Sequence, residues 1–273
     1  MVAKPPPPPP VRPLPSGASS VALELEYVTK WYGPTCALNN VSFRVPAGQV
    51  VGLLGPNGAG KSTAMKSILG ILRPEGGRIR VCGLDVSDHG MEVKRLSGYV
   101  PEAPALYEFL TGAEYLDFVA DLYGMEPASR SARLQPFLAA LELVGHENAL
   151  ISGYSHGMKQ KIALIAALAH RPRLLVLDEA LNGLDPRSAR LVKDLLRSLA
   201  SEGVGILFST HVLEIAQAIC DRVVILHHGT VLAEGTVEEL RGRSGTGGSG
   251  LEEVFLSLTG SEDLRETVQA LAR

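Results

Sequence analysis

The stretch Gly55–Thr63, GPNGAGKST, constrains this chain more than any other. Two glycines bracket four residues, and a lysine and a hydroxyl residue follow, which is the pattern of a phosphate-binding loop. Such a loop needs a buried strand to deliver it and a helix to leave it. QVVGLL upstream is nearly all apolar, as a strand covered on both faces should be. TAMKSILGIL downstream reads as a helix that RPEGG ends. Glycine lets successive backbone N–H groups converge on phosphate oxygens without a Cβ in the way, and the helix adds its positive N-terminus. Lys61 is expected to reach the β- and γ-phosphates and Ser62 to hold Mg²⁺ through its hydroxyl. Gly55, Pro56, Asn57, Gly58, Ala59, Gly60, Lys61, Ser62 and Thr63 thus form a candidate site for a nucleoside triphosphate. The loop does not say what the energy is used for.

The rest of the chain alternates strand and helix signals. VALELEYV and VSFRV read as strands before the loop, and RIRVCG as one after its helix. Residues of about 103–170 are rich in Ala and Leu at helical spacing, as in AEYLDFVADLYG and RLQPFLAALELVG. LLVLDE returns to strand, SARLVKDLLRSLASEG is helix, GILFST strand, VLEIAQAICDR helix, and VVILHHGTVLAEG a hairpin turning near Gly229. The expected fold is α/β: a phosphate-loop NTPase with a mainly parallel sheet, an N-terminal antiparallel β subdomain and a helical subdomain. The expected divisions are a disordered proline-rich tail over 1–20, a phosphate-loop domain over 21–241 with its helical subdomain at about 103–170, a Gly/Ser linker over 242–250 and a short helical tail over 251–273 that includes LEEVFLSLTG.

Bulk properties remove several classes. With 273 residues, 45% hydrophobic and 20% charged, the chain suits one large domain or two small lobes. A net charge of −3 gives no reason to expect nucleic acid as a partner. Mean hydropathy is slightly positive at +0.14. Even so, the most apolar run, IALIAALA, is far shorter than the roughly 20 residues that span a bilayer. The proline-rich start has no apolar core of a secretory signal. Cys36, Cys82 and Cys220 are widely spaced and odd in number, which fits reduced packing thiols.

Two further stretches carry chemistry. LLVLDE places Asp178 and Glu179 at the end of a buried strand, and ligands of parallel sheets bind at the carboxyl ends of strands. Asp178 is then expected to bind Mg²⁺, directly or through water, and Glu179 to orient or deprotonate an attacking water. YSHGMKQK precedes an apolar helix, where Ser155 and Gly157 could present N–H groups to an anion or merely start that helix.

With phosphate loop, helical insert, YSHGM, acidic strand and histidine in this order, the chain resembles the ATP-binding cassette (ABC) ATPases over roughly residues 22–240. More narrowly, it resembles the subunits of bacterial ABC exporters whose permease is a separate protein, and LEEVFLSLTG resembles their tail end. The resemblance implies ATP and Mg²⁺ as cofactors and ATP hydrolysis as the activity. Tyr32 in KWYG matches the aromatic residue that stacks on adenine. Tyr154–Met158 stand where LSGGQ is usual, so Ser155 and Gly157 match and three positions depart, His156 among them. Glu102 in GYVPEAP replaces the usual glutamine and remains a candidate near ATP and Mg²⁺. Asp185 in NGLD matches the loop at the dimer interface, and His211 in FSTH the histidine that contacts the γ-phosphate. Lys61, Glu179 and His211 are the expected catalytic residues. In such members two head-to-tail domains enclose two ATP molecules.

The implied partners are a second ATP-binding domain, identical or related, and a polytopic membrane permease that docks near Glu102–Thr111. The implied location is cytoplasmic, peripheral on the inner face of the cell membrane. A soluble ABC-type factor acting on ribosomes or DNA, or a regulatory module of that type, stays open as the alternative. The substrate is not legible, because its contacts lie in the permease.

Overall fold

The computed structural model describes residues 20–243 and Phe255. The proline-rich tail up to residue 19, positions 244–250 of the expected linker and the C-terminal segment other than Phe255 lie outside the described residues.

Two sheets form the frame. The first is antiparallel and has the order β2 (Thr35–Pro46), β1 (Val21–Tyr32), β4 (Gly76–Val81), β5 (Leu84–Asp85). Its pleat follows the alternation in VALELEYV: Leu23, Leu25 and Val28 are buried, while Glu24 and Glu26 stay partly open and meet arginines across the sheet. Arg44 Nε donates to Glu24 Oε1 at 2.7 Å, and Arg80 reaches both glutamates at 3.1 Å.

The second sheet has six strands in the order β10 (Thr230–Gly235), β9 (Arg222–His227), β3 (Val50–Leu54), β8 (Gly205–Thr210), β7 (Leu174–Asp178), β6 (Ser97–Val100). All neighbours are parallel except β10, which folds back on β9 as the expected hairpin. Every residue of β3, β7 and β8 is buried; the strands are apolar except at the carboxyl ends of β7 and β8, where Asp178, Ser209 and Thr210 stand. Their side chains alternate between two cores. Leu175, Leu177 and Phe208 face the helical part, and Leu174, Val176 and Leu207 face the antiparallel sheet.

Eight α-helices complete the described residues. Helix α1 (Lys61–Ile68) stops earlier than RPEGG predicts. Gly70 takes a left-handed φ of +65°, and the N–H groups of Gly70 and Ile71 turn back onto the carbonyls of Ser67 and Lys66, so the glycine ends the helix first. Helix α2 (Gly90–Leu96) and the short β5 were not expected. Helix α3 (Gly112–Leu122) opens with a capping box in which Thr111 and Glu114 satisfy each other's N–H groups. Helix α4 (Pro127–Ala140) keeps Pro136 in its interior. Helix α5 (His156–Ala169) is buried on every side from Gln160 onward, as a helix between other elements should be. It packs on α3, α4 and β6. Helix α6 (Pro186–Ser201) buries one face, made of Ser188, Val192, Leu196, Leu199 and Ala200. Helix α7 (Leu213–Ile219) and helix α8 (Val237–Arg243) close the set, and α8 runs past the boundary expected at 241. Among the described residues no helix is long and apolar enough to cross a membrane. Cys36, Cys82 and Cys220 are all free thiols.

Candidate functional site: a phosphate loop facing two carboxylates

Strands β3, β7 and β8 end on one edge of the sheet. The phosphate loop, Glu179 and His211 follow them directly, so residues far apart in sequence share one edge. Gly55 is needed for a reason the motif does not state: a Cβ there would lie 2.2 Å from the carbonyl oxygen of Leu226 on β9. Gly60 sits at φ +106°, and a Cβ there would meet the carbonyl of Ala37 at 2.5 Å. The β9–β10 turn supports the loop from below. Gly229 N–H donates to Ala59 O at 3.0 Å, and Asn39 N–H donates to Gly229 O at 2.7 Å.

Helix α1 begins at Lys61, and its first regular bond is Ala64 N–H to Gly60 O at 2.9 Å. The N–H groups of Lys61, Ser62 and Thr63 have no intrahelical acceptor, which makes this end an anion site. Lys61 is buried. Its ammonium donates to Gly55 O at 2.7 Å and Pro56 O at 3.3 Å, and lies 3.9 Å from Glu179 Oε1. Burial pulls its pKa down, and the carboxylates of Glu179, Asp178 and Glu102 oppose that pull.

Asp178 and Glu179 are both buried at the end of β7. Asp178 Oδ1 accepts the hydroxyl of Ser209 on β8 at 2.6 Å. Glu179 has a left-handed φ of +51°. For a residue other than glycine this costs about 1–3 kcal/mol and persists only where surrounding bonds enforce it. Those bonds are present. Glu179 N–H reaches Ser209 Oγ at 3.1 Å and Ser209 O at 3.2 Å. Its Oε2 accepts Asn182 Nδ2 at 2.7 Å and contacts His211 Nδ1 at 2.5 Å. The His211 ring remains 55% exposed, so it can still meet a ligand.

A pocket of about 340 Å³ is lined by Tyr32, Ala37, the loop from Pro56 to Thr63, Glu102, Asp178, Glu179 and His211. Tyr32 lines it and Trp31 does not. Glu102 is exposed on the rim, and its carbonyl accepts Gln160 Nε2 at 2.6 Å. Gly55 lies buried behind the lining. Ser155, Gly157 and Asp185 are not brought to this pocket. Ser155 caps α5 by accepting Met158 N–H, and Asp185 caps α6 by accepting the N–H groups of Arg187 and Ser188. The Ser188 hydroxyl and N–H hold the Asp185 carboxyl below the usual range. The two caps are neighbours: a Cβ on Gly183 would lie 2.4 Å from the His156 ring, so the departing His156 packs against the NGLD loop.

The donor set suits Mg²⁺ that arrives with phosphate. The described residues hold no cluster of three His, Cys, Asp or Glu that would bind a metal alone. The pocket instead offers the Ser62 hydroxyl and the Asp178 carboxylate, hard oxygen donors of the kind Mg²⁺ takes together with substrate phosphates. Ser209, Asn182 and Gln160 were not singled out in the sequence. Asn182 stands three residues after Glu179, a spacing that can bring two side chains together, but only the β7–β8 register brings Ser209 to Asp178.

The profile described as ABC transporter matches residues 38–182. The chain is 35% identical over 237 residues to the ABC-type transporter ATP-binding protein EcsA of Bacillus subtilis, covering 87% of this chain and 96% of that one. It is 37% identical over 225 residues to the daunorubicin/doxorubicin resistance ATP-binding protein DrrA of Streptomyces peucetius, covering 82% and 68%. A solved ATP binding subunit of an ABC transporter superposes with a TM-score of 0.83 at 37% identity, covering 87% of this chain and 99% of that one. A dimeric ATP-binding cassette in a post-hydrolysis state, bound to ADP and Pi, superposes with a TM-score of 0.73 at 26% identity over 78% and 98%.

Proposed function

Because this chain belongs to the ABC transporter family, as one of its ATP-binding subunits, we propose that it hydrolyses ATP to drive export through a separate polytopic permease. The observation that carries this reading is the single pocket where the phosphate loop, Asp178, Glu179 and His211 converge. Tyr32 stacks on the base, and the α1 N-terminus with Lys61 holds the phosphates. Ser62 and Asp178 would hold Mg²⁺, which would supply charge neutralisation when bound. Glu102, exposed at the rim of the same pocket, would add a carboxylate near the metal. Glu179 orients the attacking water and takes its proton, while His211 turns from Glu179 toward the γ-phosphate.

Ser155, Gly157 and Asp185 lie outside the chain's own pocket, which supports a role toward ATP held by a second ATP-binding domain. An apolar groove of about 460 Å³, with Tyr107, Phe118 and Leu122 in its lining and Phe109 exposed beside it, supports permease docking around residues 102–111. Export is favoured by relatives named for drug resistance and for Nod factor export. On this reading the protein sits at the cytoplasmic face of the membrane through its permease.

Two variants and one purification test the proposal. Lys61→Ala is expected to weaken ATP binding about ten- to hundredfold, since hydrogen bonds to charged groups are worth roughly 1.5–3 kcal/mol. Glu179→Gln is expected to keep ATP binding, lower kcat by about a hundredfold or more, and accumulate an ATP-dependent dimer in size-exclusion chromatography. The Glu179→Gln protein recovered with ATP from gently solubilised membranes should carry a polytopic protein in stoichiometric amount. Recovery with ribosomes, with DNA or alone would move the function to a soluble regulatory ATPase.

A further inference from the structure

We propose that Ser209 is a positioning residue of this site: one buried hydroxyl joins Asp178 to Glu179 and fixes their arrangement for metal-bound nucleotide. Ser209 is 0% exposed and pairs in register with Asp178 across β7 and β8. A serine hydroxyl has one proton to donate and two lone pairs to offer. The Glu179 N–H is a donor only, so at 3.1 Å it obliges the Ser209 oxygen to accept. The hydroxyl proton then goes to Asp178 Oδ1 at 2.6 Å, a short charge-assisted bond. The direction of both bonds follows without any choice of rotamer.

The consequences fall on both carboxylate residues. One oxygen of Asp178 is committed to Ser209, which leaves the other for the site. The Glu179 amide is tied down where its backbone takes the left-handed turn that aims its side chain at Lys61, Asn182 and His211. The adjacent Thr210 does not share this role, because its hydroxyl accepts Val212 N–H. Alanine at 209 would strip a buried carboxylate oxygen of its donor and remove one of the two acceptors of the Glu179 amide.

This inference rests on the Mg²⁺–ATP reading of the pocket, and its test separates the two. The affinity for ATP is measured by calorimetry with Mg²⁺ and with excess EDTA, for the wild type, S209A, D178N and the double variant. The expected result is an EDTA affinity unchanged in S209A and a Mg²⁺-dependent gain reduced about ten- to hundredfold, the size typical of outer-shell partners. In the D178N background S209A should add little further loss, because the two residues act through one bond. S209A equal to wild type, or an equal loss in both backgrounds, overturns the proposal and leaves the ATPase reading standing. A wild type that binds no ATP overturns the ATPase reading itself, and this one with it. A wild type that binds ATP with no gain from Mg²⁺ overturns only the positioning role. If S209A fails to fold, S209C takes its place in the same cycle, since a thiol is only a weak donor.

Discussion

Gly55 and Glu179 both lie within reach of the Lys61 ammonium and make opposite backbone demands. Gly55 has no side chain because the Leu226 carbonyl occupies the space a Cβ would need. Glu179 keeps a side chain in a conformation that favours glycine, held there by Ser209, Asn182 and His211. A methyl group at position 55 must push β3 and β9 apart or bend the loop. Gly55→Ala is therefore expected to lower stability by about 1–3 kcal/mol, the range for overpacking, and to weaken ATP binding. A thermal melt with and without ATP reads both effects, and a melting temperature equal to wild type would remove the close-approach argument. Several residues of this pocket could be picked out from the sequence: Lys61, Ser62, Asp178 and Glu179 stand in motifs with a recognisable spacing, and all four line it. Ser209 could not, because its partner is set by strand register rather than by neighbours in sequence.

At the scale of elements, burial separates what sequence shows from what it hides. Strands β3, β7 and β8 are buried from end to end and begin with apolar runs, and a short apolar run bounded by turn residues announces itself. Helix α2 buries only Val93 and Leu96, too few positions to set a period, and it was missed. The end of α1 was misjudged because RPEGG competes with Gly70, and the first glycine able to turn left-handed wins. Helix α3 depends on its start. Thr111 Oγ1 accepts Glu114 N–H at 3.2 Å, and Glu114 Oε2 accepts Thr111 N–H at 2.8 Å. Thr111→Ala removes the cap and is expected to cost about 1 kcal/mol, measured by urea denaturation. The loss should be the same with and without ATP, because α3 contributes nothing to the lining of the nucleotide pocket. A loss that ATP abolishes would contradict that separation.

At the scale of the molecule, His170 ties the helical part to the sheet. Its ring stacks on Tyr123 at 3.7 Å, and Nε2 meets the Ser97 carbonyl at 3.0 Å, which suits the neutral ring donating. Burial pushes its pKa down to about 4, with a smaller push from Arg133, against the pull of the Ser97 carbonyl. In the unfolded chain the ring takes a proton near pH 6.5, and in the folded chain not until about 4. Between those values the unfolded state holds more protons, so stability rises with pH there and is lost as pH falls. The loss from pH 7 to 4 amounts to about 3 kcal/mol for this one group at ~1.4 kcal/mol per pKa unit. Denaturant titrations of wild type and His170→Gln at both pH values isolate it: the wild type should lose more on acidification, and parallel losses would contradict the assignment.

The floor of the phosphate loop has a consequence for how this protein is made. β3 pairs only with β8 and β9, and the loop it carries rests on Leu226 and Gly229. All of these partners are translated long after the loop itself. A ribosome therefore emits GPNGAGKST early, and the segment must wait unpaired until most of the polypeptide has followed, because distant pairings close slowly. Nascent chains stalled before β9 should bind no nucleotide, and binding should switch on within the few residues that complete the β9–β10 turn. The loop becomes competent only when strands made more than a hundred residues later arrive.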